Sequence, residues 1–187
     1  MTFPSLPIIL TLIRFILSPI IMPLLILGYL PEALALGHVL VVVIFLALAF
    51  TDFLDGHLAR KLGKESLWGA LLDPVADKLL VTATTVSLVA IGLVPAWWAI
   101  VVIGRDFFVM SLRELALALG FRVRVVWLGK LKTALQMSYL VFVLIGGTLS
   151  ETVIGYITLL LLYASFVCTI LSAYQYFMYW NSQRKSI

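Results

Sequence analysis

Hydrophobic residues make up 63% of the 187-residue chain and charged residues only 12%, with a net charge of +4 and a mean hydropathy of +1.15. A water-soluble domain carries about 25% charged residues, so this chain cannot cover a water-facing surface and reads as an integral membrane protein. The composition excludes a secreted disulfide scaffold, a free nucleic-acid binder and a disordered chain; the single cysteine, Cys168, can form neither an internal disulfide nor a Cys-based zinc site.

A membrane-spanning helix needs about 20 apolar residues, and six stretches qualify. The first is 8–27, carrying Arg14, Pro19 and Pro23. It follows residues 1–7, which lack the basic segment of a cleaved signal peptide and suit a short amphipathic entry along the interface. The second is 35–54, continuing as helix to about Arg60, and the third is 71–94, interrupted by Pro74. The fourth, fifth and sixth are 98–119, 131–148 and 152–180. Only helices and closed barrels satisfy their backbone in lipid, and alternating ten-residue strands are absent. The expected fold is therefore an all-α bundle of six transmembrane helices forming one domain over 1–187.

Charge alternates between the connections. One set carries Glu32 and Glu151 without Lys or Arg; the other carries Arg60, Lys61 and Lys64, then Arg122, Arg124 and Lys130, then Arg184 and Lys185. The positive-inside rule puts the basic loops and both termini in the cytoplasm, which agrees with an even span count. His38 and His57 read as interfacial residues. Tyr163, Tyr174, Tyr176, Tyr179 and Trp180 read as packing and an aromatic belt.

Four of the nine acidic residues, Asp52, Asp55, Asp73 and Asp77, fall near the cytoplasmic ends of the second and third spans. Spacings of three and four put each pair on one helix face, so two adjacent antiparallel helices can aim four carboxylates into one cavity. A charge at mid-bilayer costs ~2.5–3.5 kcal/mol, less near the interface, and four acids together repel one another, so a cation must compensate. An oxygen-rich, cysteine-free set suits Mg²⁺ or Mn²⁺; ordinary ion pairs to Lys78, Arg60 and Lys61, or a cation path, are the competing explanations. Small residues at Gly56, Ala59 and Gly69 let a bulky ligand approach the backbone, and Arg60, one turn past Gly56, can hold a diphosphate.

Asp52-x-x-Asp55-Gly56-x-x-Ala59-Arg60, eight residues, then Gly69-x-x-x-Asp73-x-x-x-Asp77 resembles the signature of the CDP-alcohol phosphatidyltransferase family without a departure. The resemblance implies a six-span enzyme, usually a homodimer, that transfers a phosphatidyl or similar group from a CDP-linked donor to an alcohol and releases CMP. It implies two divalent metal ions, Mg²⁺ or Mn²⁺, held by Asp52, Asp55, Asp73 and Asp77, with Asp77 as the base for the acceptor hydroxyl. Gly56, Ala59, Arg60 and Gly69 then line the cytidine diphosphate pocket.

Arg105 and Arg113, eight apart, share a face of the fourth span, and Lys130 and Lys132 follow. Four cations near one cavity suit a second anionic group, since Arg and Lys together bind phosphate well; their bland explanation is snorkelling to headgroups. Gly104-Arg105-Asp106, Leu112-Arg113-Glu114 and Val125-x-Trp127-x-Gly129-Lys130-x-Lys132-Thr133-x-x-Gln136 look like the bacterial branch of the family that forms phosphatidylglycerophosphate. Leu10-Thr11-Leu12-Ile13-Arg14 and Leu72-Asp73-Pro74-Val75-Ala76-Asp77-Lys78 look like it too, although Asp106 stands where many relatives have Glu. This implies CDP-diacylglycerol and sn-glycerol 3-phosphate as substrates, a homodimer in the bacterial cytoplasmic membrane, a cytoplasm-facing site and no nucleic acid. Rival acceptors are inositol phosphate, serine and phosphatidylglycerol. The rival classes are an intramembrane prenyltransferase, which CMP should not inhibit, and a cation or proton transporter, which needs no CDP lipid.

Overall fold

The computed structural model describes the backbone of residues 6–31, 35–62, 67–121, 123, 126–146 and 151–184, and the side chains of 16–31, 36–51, 78–121, 123, 126–146 and 153–184. Among the described residues the secondary structure is six helices and no strand: α1 (Leu6–Tyr29), α2 (Ala35–Leu62), α3 (Leu67–Ala90), α4 (Ala96–Ala118), α5 (Trp127–Ile145) and α6 (Glu151–Arg184). They divide into two compact units, one holding α1–α3 and the other α4–α6.

In the first unit α1 packs on both α2 and α3, and α2 also meets α3. The inner face of α1 repeats every fourth residue, through Ser18, Met22, Ile26 and Leu30, as a helix of 3.6 residues per turn requires. Pro19 and Pro23 lie inside α1, which stays continuous. The third span was expected to break at Pro74, but α3 runs through it and begins four residues earlier; apolar length locates a span, whereas the helix extends as far as its hydrogen bonds do. The end of α3 is set by Gly92 at φ +77°. The Gly92 amide donates to Val89 O and the Leu93 amide to Leu88 O, at 3.0 and 2.9 Å, a Schellman stop that needs a residue free of a Cβ. The apolar run to Val94 therefore overshoots the helix.

In the second unit α4 and α5 each pack on α6. Gly120, at φ +84°, ends α4 by the same device, with the Gly120 amide on Leu117 O and the Phe121 amide on Ala116 O, both 3.0 Å. Phe121 then folds against the buried cluster of Val109, Leu112, Ala116, Tyr176 and Trp180. Farther along, Trp98 donates its indole N–H to Ser165 Oγ at 3.0 Å and stacks at a tilt on Tyr139, centroids 4.6 Å apart, so one side chain ties α4 to α6 and α5.

Apolar side chains line the outside as well as the core, and hydroxyls lie among the buried residues. Ser18, Thr84, Thr85, Ser165, Thr169 and Ser172 are fully buried, while Leu24, Ile100, Leu160 and Tyr156 are more than two-thirds exposed. In lipid the hydrophobic effect does not favour burying leucine, so close packing of small and hydroxylated residues decides which face turns inward. The protein is a membrane protein. Among the described residues, Trp127–Ile145 and Val153–Arg184 are long and apolar enough to cross a bilayer. At ~1.5 Å rise per residue, α6 extends about 50 Å and outreaches a hydrocarbon core of ~30 Å.

Candidate functional site

The acidic signature falls on two helices of the first unit. Asp52, Asp55, Gly56, Ala59 and Arg60 lie in the last third of α2, and Gly69, Asp73 and Asp77 in the first half of α3. Both stretches are unbroken helix, so the three- and four-residue spacings give shared faces within each pair, and α2 and α3 meet. The side chains of these eight residues, and of His57, lie outside the described residues. As a donor set, four carboxylates without sulfur or imidazole fit a hard divalent cation.

The second unit assembles a polar cluster in full view. The inner stripe of α5 runs Lys132, Gln136, Tyr139, Leu140, Val143, Leu144; Lys132 and Gln136 occupy the first two places of a pattern that is mainly apolar beyond them. Lys132 is 1% exposed. Lys130, two residues earlier and about 200° round the helix, is exposed. The α5 helix begins at Trp127, not at residue 131, because Val126 is extended and caps it ahead of the charged first turns.

Across from α5, Arg105 and Asp106 come from α4. Both oxygens of Asp106 accept from Lys132 Nζ at 2.9 Å, and Oδ1 also accepts from Arg105 Nη1 at 2.9 Å. Arg105 Nε donates to Ser172 Oγ on α6 at 3.1 Å. Two turns on, Arg113 Nη2 donates to the Tyr176 hydroxyl at 2.7 Å, and the Val126 amide approaches the same oxygen at 3.4 Å. The Tyr176 ring stands 5.4 Å from the Arg105 guanidinium carbon and 5.2 Å from that of Arg113. One aromatic face thus offsets part of the repulsion between two like charges. Gly129 explains how α5 comes so near: a Cβ there would lie 3.2 Å from the Tyr176 hydroxyl and 3.6 Å from Arg105 Nη2.

Two donors in this cluster are unused. Arg105 Nη2 and Arg113 Nε are buried and have no hydrogen-bond partner among the described residues. Leaving a buried donor unsatisfied costs about 1–3 kcal/mol, more when it is charged, so this is an arrangement that an oxyanion completes. Among the described residues of this cluster, Arg105, Arg113 and Lys132 stand against one carboxylate, Asp106.

Three of the four cations anticipated for an anionic group, Arg105, Arg113 and Lys132, are therefore together, and Lys130 stands apart from these hydrogen bonds on the exposed side of its helix. Ser172 and Tyr176, four apart on α6, were not anticipated. Their signal was the hydroxyl stripe Ser165, Thr169, Ser172 leading to Tyr176, which the surrounding aromatics concealed. Tyr176 and Trp180, 2% and 8% exposed, pack inside, whereas Tyr163 and Tyr174, 55% and 60% exposed, face outward. His38, expected at the interface, is buried at 5% exposure, because it sits on the inner stripe of α2 with Val41, Val42 and Phe45.

Comparison with known proteins shows the family. The family model for CDP-alcohol phosphatidyltransferase matches residues 4–171. The chain is 36% identical over 146 residues to a Bacillus subtilis protein named CDP-diacylglycerol–glycerol-3-phosphate 3-phosphatidyltransferase, covering 78% of this chain and 76% of the relative. Proteins of the same name from Rickettsia typhi and Haemophilus influenzae are 36% and 37% identical over 179 and 180 residues, covering 92% of this chain in each case and 95% and 91% of the relatives.

Proposed function

Because the chain belongs to the CDP-alcohol phosphatidyltransferase family, we propose that it transfers the phosphatidyl group of CDP-diacylglycerol to sn-glycerol 3-phosphate, giving phosphatidylglycerophosphate and CMP. The observation that carries the choice of acceptor is the pair of buried, unpartnered guanidinium donors, Arg105 Nη2 and Arg113 Nε, inside a cluster with excess positive charge. An acceptor that brings its own phosphate uses them; an acceptor without one leaves them orphaned. The names carried by the relatives support the same substrates.

In this reading the acceptor hydroxyl oxygen forms a bond to the lipid-bearing phosphorus, the P–O bond to CMP breaks, and Asp77 takes the hydroxyl proton. Asp52, Asp55 and Asp73, with Asp77, hold two divalent ions, Mg²⁺ or Mn²⁺. When bound, such ions neutralise charge on the diphosphate and the departing CMP. Gly56, Ala59 and Gly69 keep the nucleotide side open, and Arg60 grips the diphosphate. Arg105 and Arg113 orient the acceptor by its phosphate, Lys130 adds to the positive field, and Lys132 holds Asp106 beside Arg105. The enzyme works as a homodimer of six-span chains in the bacterial cytoplasmic membrane, its termini and site on the cytoplasmic side, where a soluble phosphate ester and a lipid donor both have access.

Purified protein given CDP-diacylglycerol, glycerol 3-phosphate and Mg²⁺ or Mn²⁺ should release CMP, and chelation should stop it. Release that is indifferent to metal, or faster with serine or inositol phosphate than with glycerol 3-phosphate, overturns the assignment.

A further inference from the structure

Lys132 is the deepest charge among the described residues, and its ammonium donates to both carboxylate oxygens of Asp106 at 2.9 Å. The same carboxylate reaches Arg105 Nη1, while Ser172 takes Arg105 Nε. A guanidinium is a rigid planar fork. Fixing Nε and Nη1 therefore fixes Nη2, the atom left without a partner. Gly129 leaves room for it, since even a methyl group there would come within 3.6 Å.

We propose that Asp106 and Lys132 are positioning residues: the pair cancels its own charge and locks Arg105, so that the acceptor phosphate is held by Arg105 and Arg113 and not by Lys132. This rests on the acceptor-phosphate reading above. A buried ammonium is tolerated only when paired, and Asp106 supplies the pair. With those two charges cancelled, two guanidinium charges remain, matching a phosphate monoester that is close to dianionic at neutral pH, its second pKa being about 6. The lock thus sets both the direction of the donors and the charge they present.

The two roles for Lys132 differ in what a second substitution does. Lys132→Met alone leaves the Asp106 carboxylate to Arg105, which it then neutralises. The KM for glycerol 3-phosphate should rise by roughly tenfold or more, the scale of one charge-assisted hydrogen bond, with the KM for CDP-diacylglycerol and kcat nearly unchanged. Adding Asp106→Asn restores the charge balance and keeps an amide oxygen for Arg105 Nη1. The acceptor KM of the double variant should return to within about threefold of wild type, a difference smaller than one neutral hydrogen bond. A double variant as impaired as Lys132→Met overturns the proposal, because the restored charge balance and the amide oxygen kept for Arg105 would then not suffice to hold the phosphate. If the single variant does not fold, the charge-balanced double variant decides alone: an acceptor KM near wild type supports the lock, and a tenfold rise overturns it. Arg113→Ala is the separate arm. An unchanged acceptor KM there removes the phosphate site itself, whereas a raised one with no rescue in the double variant removes only the positioning role.

Discussion

The two helical units handle charge in opposite ways. In α2 and α3, four carboxylates fall within one 26-residue stretch, and the spacing within each pair is the helix repeat itself; no arrangement of the chain is needed to see that like charges collect there. In α4–α6 the cations come from α4 and α5, their counterion from α4, and the groups that aim them from α6, more than 60 residues along the chain. The first is a motif and the second a constellation. Under the proposed function, the acids draw their compensation from outside, as bound cations. The cluster around Arg105 carries an internal counterion, and Arg105 Nη2 and Arg113 Nε are buried there without a hydrogen-bond partner among the described residues. Under the proposed function the labour divides accordingly: α2 and α3 handle proton and metal, and α4–α6 recognise the acceptor's phosphate.

The largest effect should come from testing the acidic half. Asp77→Asn removes the proton acceptor while leaving the spacing of the other acids intact. General-base catalysis contributes about 10²–10⁴-fold, so kcat should fall by that order, with CMP binding to the purified variant still measurable by calorimetry. Turnover at the wild-type rate would release Asp77 from the base role and blur the division just drawn.

A smaller and differently shaped loss should follow Arg113→Ala. It deletes one of the two free donors and one of the two excess charges. Charge-assisted hydrogen bonds are worth about 1.5–3 kcal/mol, so the KM for glycerol 3-phosphate should rise by roughly 10- to 150-fold, with the KM for CDP-diacylglycerol within about twofold, because uniform ground-state binding is what disappears. Equal increases in both KM values would show that the cation cluster is not devoted to the acceptor.

How much of this was readable from the sequence follows from the same contrast. Helix content and the acid signature were legible because both are local: apolar runs of about 20 residues and spacings of three or four need no tertiary information. Helix ends were less so, since hydropathy continues through Ile91, Leu93 and Val94 while the Gly92 turn has already stopped α3. Within the cation cluster, Arg105 and Arg113 could be paired from their eight-residue spacing. Lys130 and Lys132 could not be separated, because which side of α5 faces α6 depends on packing between helices. Gly129 marks that side once the structure is known: the close approach to Tyr176 is possible only on the face where a side chain is missing. Nor could Tyr176 be told from Tyr174. In a lipid-facing helix both faces are apolar, so hydropathy carries no inside–outside signal, and the buried hydroxyls of Ser165, Thr169 and Ser172 are the better guide.

The finest test of the comparison is Tyr176→Phe. The ring should continue to stand against both guanidinium groups, 5.4 and 5.2 Å from their carbons, so the cation–π contribution stays and only the hydroxyl is lost. That oxygen accepts from Arg113 Nη2 at 2.7 Å and from the Val126 amide at a weaker 3.4 Å. A hydrogen bond to a neutral oxygen nets about 0.5–1.5 kcal/mol, which corresponds to a roughly two- to tenfold rise in acceptor KM. Because the lost bond orients Arg113 and leaves Arg105 anchored on Ser172 and Asp106, the effect should vanish when Arg113 is already alanine. Acceptor KM values for the single and double variants measure that coupling directly. Additive losses would mean that Tyr176 meets the acceptor by itself, making α6 a third face of the phosphate site instead of the scaffold behind it.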